Sequence, residues 1–402
     1  MIEAIKLQVP FRLYMHILVM TRIVPRHSLG GMQKQTMDLC YGFVNAGHKV
    51  TLITTGRKDG VTQESDNGVD IRYLAKSKPG YYSRKWNSLC KKAVAKLHNE
   101  SPIDVIHSQS MGANGVLKWA NRNSVPIVST WHGTSLTEIS TFFSSASWSP
   151  RYWHWLLIMP SRMLRQYFLL DLPVRKASQH ITLVSPTLEP NMKLLAKNKV
   201  TTISNGIEIP PLTEKSTNLP IQVISIGRIE KEKGIHHGIN AIAKLPSELQ
   251  QQVHLNIVGT GPYLENLQSL VTHHKLSKTV TFHGRLADDE LFKIYQQCRI
   301  HLMPTTRQEG LPLTILEGMA FSLATIASDI GGIPRVITDK VDGLLVKPGN
   351  VEDLSNALTL LLKSTDQLND LANKARSTIE QRYSRERMVD ETLEVFNLVV
   401  RK

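Results

Sequence analysis

The chain has 402 residues and a mass of 45.2 kDa, a length that predicts two or three domains with a sizeable core. With 41% hydrophobic and 20% charged residues, wholesale disorder is excluded, and no apolar run is long enough to predict a transmembrane helix. Three cysteines without a CxxC pair exclude a disulfide scaffold and a cysteine-ligated zinc finger, and the net charge of +14 favours an anionic partner.

The positive charge is concentrated in the first half of the chain. Residues 1–200 hold 26 basic and 11 acidic residues, whereas residues 201–402 hold 22 and 23. A basic half favours a membrane surface, nucleic acid or a phosphorylated acceptor as partner. Since no nucleic-acid-binding module is recognisable, we expect no nucleic acid partner. The start of the chain does not match a secretion signal, because Glu3 interrupts it and no cleavage site follows. We expect the three cysteines to be reduced thiols in a cytoplasmic protein.

Short apolar runs alternate with helical stretches along the first half. Strands are predicted at residues 13–20, 49–54, 105–107, 127–130 and 180–184. A loop that ends at Gly30 and Gly31 follows the first run, and a helix is predicted over residues 32–46. This alternation indicates a parallel sheet with crossover helices.

The same pattern starts again after a linker rich in proline and polar residues, at residues 208–220. Further strands are predicted at residues 221–226, 254–258, 280–283, 300–303 and 324–327.

The repeated pattern predicts an α/β chain of two Rossmann-like, doubly wound domains that face each other across a cleft. They cover residues 1–207 and 208–382, and we expect ligands at the carboxyl ends of both sheets. Residues 383–402 are predicted to form a C-terminal helix that packs on either domain, the N-terminal domain being one candidate.

A charged loop follows the strand predicted at residues 221–226. In its sequence, GRIEKEKG, Arg228 stands at the end of the strand and Lys233 stands just before a helix. Two cations beside the N–H groups of a helix start suit a diphosphate. The alternative is a solvated surface loop, since charged loops between a strand and a helix are common.

Two glutamates flank the start of a helix predicted from Leu313. Glu309 precedes this helix, and Glu317 falls in its second turn. Gly310 lets backbone N–H groups approach a ligand closely, and carboxylates make strong hydrogen bonds to vicinal hydroxyls. The pair therefore suits a sugar and a ribose, although a surface turn followed by a glutamate on a helix face is the alternative.

His132 follows the strand predicted at residues 127–130. A lone histidine is more often structural than catalytic. The carboxyl end of a strand, however, is where open α/β sheets bind their ligands. We therefore expect a functional role, either a hydrogen bond to a ligand or a proton transfer.

Together these segments resemble the retaining glycosyltransferases of the GT-B fold, family 4 type (glycosyltransferase group 1). Residues 309–317 are similar to the E-x7-E signature of that family, and residues 227–234 are similar to its G-R-x4-K-G phosphate loop. The resemblance extends over most of the chain, and its motifs occur in order at the spacings of the family. Arg335 departs from the pattern, because related sequences usually carry glutamate after Gly-Gly-Ile-Pro.

The resemblance implies a GT-B fold whose first domain lies on the acceptor side and whose second domain binds a UDP- or GDP-sugar. Arg228 and Lys233 would hold the diphosphate, and Glu317 would accept hydrogen bonds from the ribose. Glu309 would position the transferred sugar, and His132 would lie beside that sugar and the acceptor hydroxyl. The donor-binding residues that the resemblance implies are Gly31, Arg228, Lys233, Gly310, Leu311 and Glu317. The catalytic residues that it implies are His132 and Glu309.

The resemblance also implies hexosyl transfer with retention, in which the departing phosphate takes the proton of the acceptor. No Asp-x-Asp triplet occurs in the sequence, and that triplet is the usual cation-binding motif of the other large transferase fold. Two cations from the loop at 227–234 are able to neutralise the diphosphate instead. We therefore expect no metal, and no cofactor other than the nucleotide-sugar substrate.

Two stretches of the first half, residues 71–99 and 139–170, lack acidic residues. The first stretch contains eight lysines and arginines together with Tyr81, Tyr82 and Trp86. The second contains the aromatic and arginine residues Phe142, Phe143, Trp148, Arg151, Tyr152, Trp153, Trp155, Arg162, Arg165, Tyr167 and Phe168.

Aromatic rings beside cations suit a bilayer interface with anionic lipids. We therefore expect a peripheral enzyme on the inner face of the plasma membrane, with a lipid-linked glycan acceptor in lipopolysaccharide, O-antigen or capsule assembly. The alternative is that these rings pack in a helical lid.

Three other functions compete with this interpretation. One is a soluble glycosyltransferase with a small-molecule acceptor, and another is a non-catalytic protein that binds sugar nucleotides. The third is a Rossmann-type NAD-binding protein. It is disfavoured because Gly259-Thr260-Gly261 is followed by Glu265 where a dinucleotide fingerprint needs glycine or alanine.

Overall fold

A computed structural model of the chain describes residues 14–28, 30–133, 135, 153–185, 188, 199–215 and 219–401, without the side chains of residues 153–157 and 159. These residues form two compact units, the first extending to Ser204 and including the last helix, the second containing Asn205–Ser384. Part of the acid-free stretch at 139–170 lies outside the described residues, including Phe142, Phe143, Trp148, Arg151 and Tyr152.

The first unit is built on a sheet of mostly parallel strands. Its strands are β1 (His16–Met20), β2 (Lys49–Thr55), β3 (Gln63–Asp66), β4 (Val69–Leu74), β5 (Val105–Gln109), β6 (Ile127–Trp131), β7 (His180–Leu183) and β8 (Val200–Thr202). Their order in the sheet is β3-β4-β2-β1-β5-β6-β7-β8, and among the described strands only β3 and β4 pair antiparallel. Because β1 lies between β2 and β5, the chain reverses its direction of travel across the sheet at β1.

Helices cover both faces of this sheet, as the fully buried pattern of β1 requires. They are α1 (Gly31–Asn45), α2 (Arg84–Glu100), α3 (Leu117–Arg122), α4 (Trp153–Gln166) and α5 (Leu172–Ala177), and a π-helical turn at Tyr167–Asp171 joins the last two.

The second unit repeats the plan with a wholly parallel sheet. Its strands are β9 (Ile221–Ile226), β10 (Val253–Val258), β11 (Val280–Gly284), β12 (Ile300–Met303), β13 (Ala324–Ser328) and β14 (Leu344–Val346). Its helices are α6 (Ile235–Ala243), α7 (Ser247–Gln250), α8 (Leu264–His273), α9 (Asp288–Gln297), α10 (Leu313–Ala320), α11 (Val351–Lys363) and α12 (Thr365–Arg382). The order β11-β10-β9-β12-β13-β14 places the reversal between β9 and β12.

The final helix, α13 (Arg385–Val400), belongs to the core of the first unit. Its buried residues include Met388, Leu393 and Phe396. The ring of Phe396 lies 5.3 Å from the ring of Phe43 on α1 and 5.3 Å from the ring of His107 on β5. The chain therefore leaves the first unit after β8 and returns to it for its last helix.

Two differences from the sequence predictions concern the first unit. The short strands β3, β4 and β8 were not predicted. Trp86 was predicted to lie at a membrane interface, which is wrong, because its side chain projects from α2 into a core cluster with Leu18 and Ile53 and is fully buried. Among the described residues, no helix combines the length and the apolar character needed to cross a membrane.

We expect Phe396→Ala to destabilise the first unit by about 3–5 kcal/mol, because the substitution removes a fully buried ring from its core. The measurement is chemical denaturation followed by the fluorescence transition of that unit. Leu398→Ala on the same helix is the matched control, since Leu398 is 56% exposed and its loss leaves no cavity. Equal stability of the two variants would contradict the packing of α13 on this core.

Candidate functional site

The loops that carry most of the predicted donor residues flank the chain reversal of the second sheet. Residues 227–234 follow β9, and residues 304–312 follow β12. Strands β9 and β12 are parallel neighbours, so both loops leave the same edge of the sheet side by side. In open α/β sheets this edge, at the reversal, is the usual place for a ligand.

Hydrogen bonds join these two loops directly. The carbonyl oxygen of Glu232 accepts hydrogen bonds from the backbone N–H of Thr306 at 2.9 Å and from the Thr305 hydroxyl at 3.1 Å. Gly234 has a positive φ of 71°, and a Cβ atom there would lie 1.9 Å from the carbonyl oxygen of Pro304. Only glycine fits at this position, so the two loops form one rigid surface.

An ion pair links the cation of the first loop to the carboxylate of the second. Lys233 Nζ lies 2.7 Å from Glu309 Oε1, and the two side chains are only 20% and 17% exposed. The sequence predicted a diphosphate role for Lys233 and a sugar role for Glu309, but not this contact. A lysine ammonium has three N–H donors, so the pairing with Glu309 leaves it able to donate to a ligand as well.

The same two loops carry a second group of charged side chains, which are more exposed than Lys233 and Glu309. Arg228 Nη1 lies 2.7 Å from Glu230 Oε1, and Arg307 Nη1 lies 3.9 Å from Glu230 Oε2. Arg307 was not predicted from the sequence to be a site residue. Its position two residues before Glu309 is the signal that could have indicated it. The three cations Arg228, Lys233 and Arg307 make this edge of the sheet suitable for an anion.

The loop after β13 supports the backbone at Glu309 and Gly310. The N–H of Gly332 donates to the carbonyl oxygen of Glu309 at 2.8 Å. A Cβ atom at Gly332 would lie 1.5 Å from the carbonyl oxygen of Gly310, so this close approach also requires glycine. The loop after β13 therefore holds in place the backbone that leads through Leu311 into α10.

Helix α10 begins at Leu313, which confirms the predicted helix start. Pro312 precedes it and supplies no side-chain cap, and its first turn contains no acidic residue. Backbone N–H groups at such a start favour an anionic group. Glu317 lies in the second turn, is partly exposed, and accepts a hydrogen bond from the hydroxyl of Tyr295 at 3.0 Å.

Gly31 and His132 belong to the first unit and lie at the carboxyl edge of its sheet. Gly31 begins α1, in the connection that follows β1. His132 directly follows β6, and its Nε2 donates a hydrogen bond to Gln109 Oε1, at the end of β5, at 2.9 Å. Burial lowers the pKa of His132 to about 4, so the imidazole is neutral at pH 7 and its Nδ1 is an acceptor.

A buried carboxylate holds the segment that follows His132. Asp171 Oδ2 accepts from the backbone N–H of Ser135 at 3.0 Å, and Asp171 Oδ1 accepts from its hydroxyl at 3.1 Å. Gln166 also donates to the Ser135 hydroxyl, at 3.0 Å. The guanidinium of Arg175 lies 4.9 Å from the centre of the Trp131 ring. Sequence reasoning missed these supporting residues, because Asp171 is distant from His132 in sequence.

The predicted residues thus fall into two groups, one in each unit. The second unit brings together Arg228, Lys233, Glu309 and the backbone of Gly310, with Glu317 one turn into the adjoining helix. Among the described residues, no group of three or more histidine, cysteine, aspartate or glutamate side chains is arranged to hold a metal ion.

Two family models match the chain. The model of the glycosyl transferases group 1 matches residues 213–378, and the model of glycosyltransferase family 4 matches residues 29–209. An uncharacterized glycosyltransferase of Methanocaldococcus jannaschii is 25% identical over 412 residues, which cover 96% of this chain and 99% of that protein.

Solved structures share the architecture over nearly the whole chain. HepE of Anabaena, crystallised with UDP and glucose, has a TM-score of 0.71 at 17% identity, covering 96% of this chain and 100% of its own. WaaG, a glycosyltransferase involved in lipopolysaccharide biosynthesis, has a TM-score of 0.67 at 15% identity, covering 95% and 99%. At these identities the likeness shows the fold alone, and it confirms the predicted GT-B fold.

We expect the imidazole of His132 to titrate near pH 4, because burial disfavours its charged form. An unfolded histidine titrates near 6.5, so the unfolded chain binds this proton first, and the folded state loses stability as the pH falls from about 6.5 to 4. The measurement is nitrogen NMR of histidine-labelled protein, with the His132→Asn spectrum as assignment control. A midpoint near 6.5 would contradict the neutral ring.

Proposed function

We propose that this chain, which belongs to the glycosyl transferases of group 1, moves a sugar from a nucleoside-diphosphate sugar to an acceptor hydroxyl with retention. The two family models lie end to end along the chain and confirm the resemblance seen in its motifs. The observation that carries the proposed donor site is the Lys233–Glu309 ion pair, held by the joined loops at the carboxyl edge of the second sheet.

The donor is proposed to bind with its diphosphate against Arg228 and Lys233. Both residues lie at the edge of the sheet where the start of α10 also presents backbone N–H groups, and Arg307 adds a third cation. Glu309, with the backbone of Gly310 and Leu311, positions the transferred sugar. Because HepE was crystallised with UDP and glucose, UDP-sugars are tested first, and GDP-sugars second.

In the proposed reaction, the bond between the anomeric carbon and the diphosphate oxygen breaks, and the acceptor oxygen bonds to that carbon. The acceptor proton passes to the departing phosphate, whose negative charge Arg228 and Lys233 stabilise. We assign hexosyl transfer without a metal, since the cations of the chain supply the charge that a metal would supply elsewhere. Anomeric NMR of the product tests retention, and turnover in excess chelator tests metal independence.

His132 is proposed to assist from the first unit. Its neutral ring donates through Nε2 to Gln109, so its Nδ1 is the atom suited to accept a hydrogen bond from a sugar or acceptor hydroxyl. Gly31 is proposed to approach the donor phosphates, since it begins a helix after the first strand of its sheet.

The acceptor is proposed to be a lipid-linked glycan at an anionic membrane surface, in lipopolysaccharide, O-antigen or capsule assembly. WaaG, which shares the fold, acts in lipopolysaccharide biosynthesis. Within the described part of α4 and the following turn, Ile158, Phe168 and Leu169 are more than half exposed, and Arg162 and Arg165 are exposed beside them. Apolar and cationic side chains on one helical surface suit the inner face of a cytoplasmic membrane.

Two alternatives make different predictions. A soluble transferase with a small-molecule acceptor turns over a soluble alcohol at full rate without lipid. A non-catalytic sugar-nucleotide-binding protein binds the donor but neither hydrolyses nor transfers it.

We expect the matching nucleotide sugar to raise the melting temperature of the second unit by about 5–10 °C at a hundredfold excess over its Kd, because it binds only the folded state. The measurement is a thermal-shift panel of UDP- and GDP-sugars. Lys233→Ala, Arg228→Ala and Glu317→Ala should each abolish the shift. Lys244→Ala is the matched control, since Lys244 makes an exposed 2.7 Å ion pair with Glu352 in the same unit. An undiminished shift in the site variants would remove the site assignment.

We expect the protein to co-sediment with vesicles that contain anionic lipid, and to release them as salt is raised. Phe168→Ala combined with Leu169→Ala should weaken this binding at least tenfold, because two exposed apolar side chains no longer enter the bilayer interface. Leu398→Ala, which removes an exposed leucine from α13, serves as control. Binding that is indifferent to anionic lipid and to salt argues for the soluble alternative.

A further inference from the structure

Tyr295 in α9 is a buried tyrosine whose ring is held on several sides. Its side chain is 2% exposed, and its ring stacks on that of Phe321 at 4.8 Å between centroids, with an interplanar angle of 8°. Its carbonyl oxygen accepts a hydrogen bond from Lys215 Nζ at 2.8 Å. These contacts fix both the backbone and the ring of Tyr295, so its hydroxyl has a defined position.

The hydroxyl of Tyr295 is directed at Glu317. It donates a hydrogen bond to Glu317 Oε2 at 3.0 Å, across the space between α9 and α10. Burial raises the pKa of Tyr295 well above its usual range, and the nearby Glu317 carboxylate adds to this effect. The phenol therefore keeps its proton and remains a hydrogen-bond donor. Glu317 itself is partly exposed at the edge of the sheet that carries the proposed donor site.

We propose that Tyr295 is a positioning residue that fixes the carboxylate of Glu317 for the vicinal hydroxyls of the donor ribose. The inference rests on the proposed function, in which Glu317 binds that ribose. A glutamate side chain is flexible, and ordering it on binding costs conformational entropy. A hydrogen bond already made in the ligand-free protein removes part of that cost and orients the carboxylate plane.

A purely structural role for the tyrosine makes a different prediction. The stack on Phe321 needs only an aromatic ring, and phenylalanine supplies the same ring without the hydroxyl. If the hydroxyl served packing alone, its loss would affect every ligand of the site alike. If it acts through Glu317, its loss affects only ligands that carry ribose hydroxyls.

The test is isothermal titration calorimetry of the full chain with UDP and GDP, each compared with its 2′,3′-dideoxy analogue. The comparison is made for whichever of UDP and GDP the wild-type protein binds more tightly. We expect the affinity for that nucleotide to be at least about tenfold higher than the affinity for its dideoxy analogue. Tyr295→Phe should reduce that preference about fivefold to tenfold, which is the effect of losing one typical hydrogen bond. Its affinity for the dideoxy analogue should stay within about twofold of the wild-type value.

Three further variants separate this inference from the proposed function and control for it. Glu317→Gln should reduce the preference at least as much as Tyr295→Phe, and the double variant should equal Glu317→Gln, because the tyrosine acts through the glutamate. Tyr383→Phe is the matched control, since the Tyr383 hydroxyl donates at 3.1 Å to the Arg335 carbonyl in the same unit, outside the donor site. We expect it to leave the preference unchanged.

Three results overturn the inference. If Glu317→Gln keeps the full preference, the ribose role of Glu317 fails and the inference fails with it. If Glu317→Gln loses the preference but Tyr295→Phe keeps it, the role of Glu317 stands and the positioning role of Tyr295 is wrong. If Tyr295→Phe weakens the ribose and dideoxy forms equally while its melting temperature matches the wild-type value, the hydroxyl has a structural role only.

Discussion

The candidate donor site depends on the joining of two loops across the chain reversal of the second sheet. The carbonyl oxygen of Glu232 accepts hydrogen bonds from the loop after β12, and Gly234 brings the two backbones into contact. Without that junction, Lys233 and Glu309 would belong to independent loops, and an ion pair between them would be weakened by solvent and by the entropy of two flexible segments. With it, a cation and a carboxylate share one preorganised surface.

Much of the fold was predictable, because buried parallel strands are nearly continuous apolar runs. Strands β9 and β12 were predicted with the bounds that the structure has. Isoleucine and valine make up most of β9, and β12 is apolar except for His301. The missed strand β3 has the sequence QESD and lies at the sheet edge, so it carries no such signal. Trp86 was misassigned because composition does not reveal which face of α2 is buried.

The sequence indicated where the proposed site residues stand relative to strands and helices, but it did not indicate their contacts. Motif spacing indicated Lys233, Glu309 and Glu317, because each stands at a fixed distance from a strand end or a helix start. The pairing of Lys233 with Glu309 depends on the joining of the loops after β9 and β12. The hydrogen bond from Tyr295 to Glu317 depends on the packing of α9 beside α10. A single sequence does not indicate contacts between residues that are distant along the chain.

The return of α13 to the first unit makes the two units unequal as pieces of polypeptide. Most of the second unit is the continuous segment Asn205–Ser384, whereas the core of the first unit is completed by residues from the far end of the chain. A fragment that stops at Ser204 lacks Met388, Leu393 and Phe396 and exposes the apolar surface that they cover. A chimaera of two related enzymes, made in the laboratory or in evolution, therefore needs its terminal helix and its amino-terminal half to come from the same parent.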